Sequence, residues 1–168
     1  MTTSNLFTAA LALATDAQQA KKARQQAYAA DVAAIVAQCV ERYEAALPEL
    51  RKLKLRGGHK TDTTPFAGSD TNYHDNTNPK HYANTLGLKV RLPPSGTEPH
   101  EVTIAVDTDW KNEGCPTQIL VTLRNGYHDK KEDAFAIQRD RDNRMMHAPV
   151  DEAMLLFFRF VADQAVLA

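Results

Sequence analysis

Leu88-Lys89-Val90-Arg91-Leu92, Glu101-Val102-Thr103-Ile104-Ala105-Val106-Asp107, Gln118-Ile119-Leu120-Val121-Thr122-Leu123-Arg124 and Ala134-Phe135-Ala136-Ile137-Gln138 alternate apolar and polar side chains. Successive side chains of a strand point to opposite faces, so a period of two predicts strands with one buried and one wet face. Residues 88–140 therefore read as a four-stranded antiparallel sheet. The links are short. Residues 93–99 contain three prolines and cannot continue a ladder, residues 108–116 form a second turn, and Asn125-Gly126 opens a third. Links of this length join neighbouring strands, which makes the sheet a meander.

Residues 1–56 read as helical, possible as one helix or two. Ser4 or Asn5 can cap the start, and residues 15–27 are, after Thr15 and Asp16, Ala, Gln, Lys and Arg, strong helix formers with little to bury. Further on, Tyr28, Val32, Ile35, Val36, Cys39, Val40, Tyr43 and Leu47 recur at helical spacing and form a face to lie on the sheet. Pro48 marks a break or a new first turn. An unbroken helix of this length, at about 1.5 Å per residue, would outreach the sheet. The apolar cluster Leu6, Phe7, Leu11, Leu13 needs cover. The favoured expectation is a separate first helix folded back on the second, and the other is an arm reaching toward another subunit or partner.

At the far end, Pro149 followed by Asp151-Glu152 starts a helix over residues 148–167. Met154, Phe157, Phe158, Val161 and Ala165 form its stripe, and Leu155, Leu156 and Phe160 widen it beyond one seam. Such excess suits burial between the sheet and the long helix, or an oligomer contact. Residues 139–144 read as a charged exit from the sheet. The expected fold is thus α+β, a single domain over residues 1–168 with both helices on the apolar sheet face.

Twenty basic and twenty-one acidic residues give a net charge of −1. No global field draws the chain to nucleic acid or an anionic membrane, so such binding would need a local patch. No stretch is long and apolar enough to span a bilayer. The apolar run 6–14 has no Lys or Arg before it and continues into helix formers, so an export signal is not expected. Two cysteines, Cys39 and Cys115, do not make a disulfide framework; reduced thiols in a cytoplasmic protein are the expectation.

Residues 57–87 show neither periodicity and are rich in turn formers. A loop this long inside a compact domain is commonly functional or disordered. Its Phe66, Tyr73, His74, Asp75, His81 and Tyr82 belong to the palette of adaptable recognition surfaces. Just before it, Arg51, Lys54 and Arg56 offer either a phosphate-contacting patch or the cationic last turn of a helix.

Catalytic motifs are lacking. The loop histidines His59, His74 and His81 have no zinc spacing. Asp109 and Lys111 have an acid-x-Lys spacing known from nucleases but fall in a turn. No serine or cysteine has a nucleophile's setting, and no cofactor or metal is implied. The expected function is a non-enzymatic binding, adaptor or inhibitor-type protein engaging a macromolecular partner, most simply a protein or a second copy, through its loop and N-terminal helix. Two alternatives stay open: a small metal-dependent enzyme using the loop histidines, and a nucleic-acid binder using residues 51–60.

Overall fold

The computed structural model describes residues 3–50, 52, 62–65, 87–92, 100–125 and 128–163. One helix, α1 (Thr3–Leu50), precedes strands β1 (Asp62–Pro65), β2 (Gly87–Leu92), β3 (His100–Asp109), β4 (Cys115–Asn125) and β5 (Asp129–Ala136). These form one five-stranded antiparallel sheet in the order β1-β2-β3-β4-β5. A two-stranded ribbon follows, β6 (Gln138–Arg139) with β7 (Met145–His147), and then α2 (Val150–Asp163). The α+β class and the antiparallel meander stand as expected.

Three details differ. First, β1 lies within the stretch read as a loop; at four residues ending in Pro65 it is too short to show a period. Second, β5 begins five residues before the apolar signal at Ala134. Its first part, Asp129-Lys130-Lys131-Glu132-Asp133, is charged on both faces, as suits a sheet edge that must not pair with another chain. Third, residues 139–144 are a hairpin rather than a plain exit. Asp140 caps its turn by accepting hydrogen bonds from the backbone amides of Asp142 and Arg144.

Register explains the core. Val102 lies opposite Leu123, Ile104 opposite Val121, and Val106 opposite Ile119, all buried on one face. Both helices cover that face. α1 contributes Val32, Ile35, Cys39, Tyr43 and Leu50, and α2 contributes Val150, Ala153, Met154, Phe157 and Val161. Phe157 stands edge-on to Tyr43, with ring centroids 6.4 Å apart, which locks the helices together over the sheet. Arg42 of α1 also reaches Asp151 in the first turn of α2 at 3.0 Å. The wide apolar arc of α2 is only partly used: Leu156 and Phe160 are half-buried, while Leu155 is exposed.

The opposite sheet face is mostly polar, with Ala105, Leu120 and Ala134 in one row across it. Gln118 donates to Asp107 at 2.9 Å, and the Thr122 hydroxyl to Glu132 at 3.1 Å. Lys130 pairs with Glu132 and holds its carboxyl below the usual carboxylate range. No described side chain of this face is aromatic, so it offers no stacking platform for bases.

α1 departs most from expectation. It is one helix of 48 residues, passing straight through Pro48. Only two residues follow that proline in the helix, so the hydrogen bond it withholds from the Glu44 carbonyl falls in the last turn. The first residues do not fold back. Residues 5–27 are all exposed, and burial begins at Tyr28. Residues 5–20, roughly 24 Å of helix at 1.5 Å per residue, therefore stand clear of the body. Folding back fails because residues 15–27 contain neither glycine nor proline and from Ala17 on are all good helix formers, which leaves no place to turn. Among described helices none is long and apolar enough to cross a membrane.

Candidate functional site

The projecting arm carries its large apolar residues near its tip. Leu6, Phe7, Leu11 and Leu13 are 56, 70, 58 and 71 % exposed. At about 100° per residue they fall, with Ala10, Ala14 and Ala17, within an arc of roughly 160°. The core-facing residues from Tyr28 to Leu50 fall on the same side of the helix by the same count. Between the two apolar stretches this side carries Gln18, Lys21, Arg24 and Gln25. One helix face thus reads apolar, polar, apolar, and the polar middle keeps the tip off its own body.

The root of the arm is clamped by polar contacts. Arg24 meets Glu113 through two bonds, Nε to Oε2 at 2.8 Å and Nη2 to Oε1 at 3.1 Å. This side-on fork raises the affinity of Arg24 for its proton and holds the Glu113 carboxyl below its ordinary range. One turn further along, the Tyr28 hydroxyl accepts a short hydrogen bond from the Asn143 side-chain amide. Arg139 lies over the Tyr28 ring, 5.4 Å from its centroid, and donates to Asp31 at 3.1 Å. Its other nitrogens reach the carbonyls of Pro116 at 3.2 Å and Asn143 at 2.8 Å.

The backbone marks the same places. Among described residues, the two non-glycine positions with positive φ are Glu113 (56°) and Asn143 (62°). Asparagine tolerates this region, whereas glutamate adopts it at a cost. Both side chains reach α1, at Arg24 and Tyr28. Both positions also close turns, Glu113 as the left-handed C-cap of the 3₁₀ turn Trp110–Asn112 and Asn143 in the β6–β7 hairpin. The clamp lets the arm leave the body in one fixed direction.

Catalytic chemistry finds nothing comparable. Among described residues no group of three or more His, Cys, Asp or Glu could hold a metal ion. Asp109 caps the short 3₁₀ turn Trp110–Asn112 by accepting the Lys111 amide at 2.9 Å, which is a structural use. Cys39 and Cys115 are free and buried, and burial pushes the Cys39 thiol up to about 11. The sequence-predicted site residues Arg51, Lys54, Arg56, Phe66, Tyr73, His74, Asp75, His81 and Tyr82 all lie outside the described residues, as do His59 and the rest of 53–61. The clamp residues were not foreseen, since no sequence signal links Arg24 to Glu113 or Tyr28 to Asn143.

Compared with known protein families, curated proteins and solved structures, the chain has no match in any of the three.

Proposed function

We propose that this is a non-catalytic binding protein whose projecting N-terminal helix is its contact element. One observation carries the proposal: residues 5–27 are wholly exposed yet include Leu6, Phe7, Leu11 and Leu13 on one side. Surface apolar residues scattered singly need no explanation, but four large ones grouped on a rigid arm mark an interaction site. A helix offering anchors at such spacing is the usual ligand of an apolar groove or of another helix. The aromatic and histidine residues of 66–82 form a second region to test, through alanine variants of Tyr73, His74, His81 and Tyr82.

The test is a photo-crosslinking amino acid at position 7, activated in an extract of the native cell. A discrete macromolecular adduct is expected, and it should vanish when Leu11 and Leu13 are changed to Asp. If the probe yields only unlinked chain, the arm is not a contact element.

A further inference from the structure

We infer that the arm's occupant is the arm of a second copy of this chain, the two pairing antiparallel across Ala10 and Leu11. The inference rests on the binding role proposed above and names its partner. Charge is the first argument. Residues 3–15 carry no ionisable side chain, Asp16 is the first, and Lys21, Lys22 and Arg24 follow. Two parallel arms would bring the lysines of both copies side by side. Antiparallel arms crossing near Ala10 hold them about 30 Å apart at 1.5 Å per residue, well beyond the screening length of roughly 8–10 Å. The crossing also opposes the two helix dipoles.

Area is the second argument. The exposed parts of Leu6, Phe7, Leu11 and Leu13 amount to on the order of 500 Å² per copy. Buried in full, the two copies' residues would reach the roughly 1,000 Å² at the lower end of specific interfaces. Such an interface belongs to the weak, concentration-dependent class. Ala10 and Ala14, in the middle of the arc, let the two backbones approach closely at the crossing.

Other occupants fit less well. The open sheet face of a second copy presents Thr103, Gln118, Thr122 and Glu132 around Ala105, Leu120 and Ala134, a mostly polar surface with one large apolar side chain to offer an apolar helix. A lipid surface calls for cations around the apolar face, and residues 3–20 have none.

Sedimentation velocity on the full chain over a hundredfold concentration range tests the pairing. A reversible monomer–dimer equilibrium is expected, with the double variant Leu6→Ser, Phe7→Ser weakening it by on the order of a hundredfold. Unchanged helical content and unfolding temperature show that the body survives the change. Orientation is read from two single cysteine variants under mild oxidation, since Cys39 and Cys115 are buried. Ala10→Cys should form a covalent dimer and Ala17→Cys should not; parallel arms would link both. A monomer at every concentration, or a dimer indifferent to the double variant, overturns the pairing. A dimer in which Ala17→Cys links to itself overturns the orientation. If the purified chain is monomeric while the position-7 probe captures a different macromolecule, the arm still binds but not to itself.

Discussion

Replacing Arg139 with alanine tests whether the polar clamp holds α1 in place or merely decorates a contact made by the core. The Arg139 side chain is 11 % exposed and its partner Asp31 25 %. The guanidinium pairs with Asp31 at 3.1 Å, donates to two carbonyls and covers the Tyr28 ring. Breaking a fully buried ion pair by removing one partner costs about 3–5 kcal/mol. Asp31 can regain some water, which brings the pair below that range. The lost cation–π contact adds about 0.5–1 kcal/mol, and the two carbonyls lose charged donors. About 3 kcal/mol in total is the expected loss, or roughly 6–12 °C for a chain of this size. Arg139→Lys keeps the charge but not the planar fork, and should fall between wild type and alanine. Urea unfolding followed by circular dichroism reads all three. A loss below about 1 kcal/mol for Arg139→Ala refutes the reasoning, because the apolar stripe alone would then seat the helix.

Phe157→Ala removes a fully buried ring between the sheet and Tyr43, and should cost about 3–5 kcal/mol in the same unfolding assay. Neither thiol should react with an aromatic disulfide reagent in the folded protein, Cys39 being buried and pushed up to about 11, and both should react in denaturant. The Glu113 carboxyl is held low by Arg24, so its stabilising effect is present above the ordinary glutamate range and is lost as pH falls through the lowered value. Glu113→Gln should therefore lower the urea midpoint at pH 7, and the difference from wild type should shrink as pH falls through the lowered value. Thr108 is buried on β3 with its hydroxyl unpartnered among the described residues, so Thr108→Val should leave stability unchanged or raise it by about 1 kcal/mol in urea titration.

What could be read beforehand followed one rule: a periodic pattern shows where a side chain faces, not what it meets. The alternation in residues 101–107 and 118–124 located the sheet core, and Tyr28, Val32, Ile35, Cys39 and Tyr43 located the seated half of α1. β5 was found late because an edge strand is charged on both faces and loses its period. The clamp was invisible for a different reason. Arg24 and Glu113 are 89 positions apart, and only the chain's path over the sheet brings them together.

The failed expectation of a folded-back first helix bears most on function. Leu6, Phe7, Leu11 and Leu13 do demand cover, but cover from within the chain needs a turn, and residues 15–27 have neither glycine nor proline. Local propensity therefore overrode the local hydrophobic demand and left it unmet in the monomer. Natural sequences are locally consistent, and a conflict of this kind is expected chiefly at a functional element. The clamp strengthens the point. A floppy tail could hide its apolar residues against any nearby surface, whereas an arm fixed at Arg24, Tyr28 and Asp31 cannot reach its own body. The polar contacts at the root thus keep the tip available, and loosening them with Arg139→Ala should weaken arm-mediated association as well as stability. A change in stability with no change in association would separate the two roles.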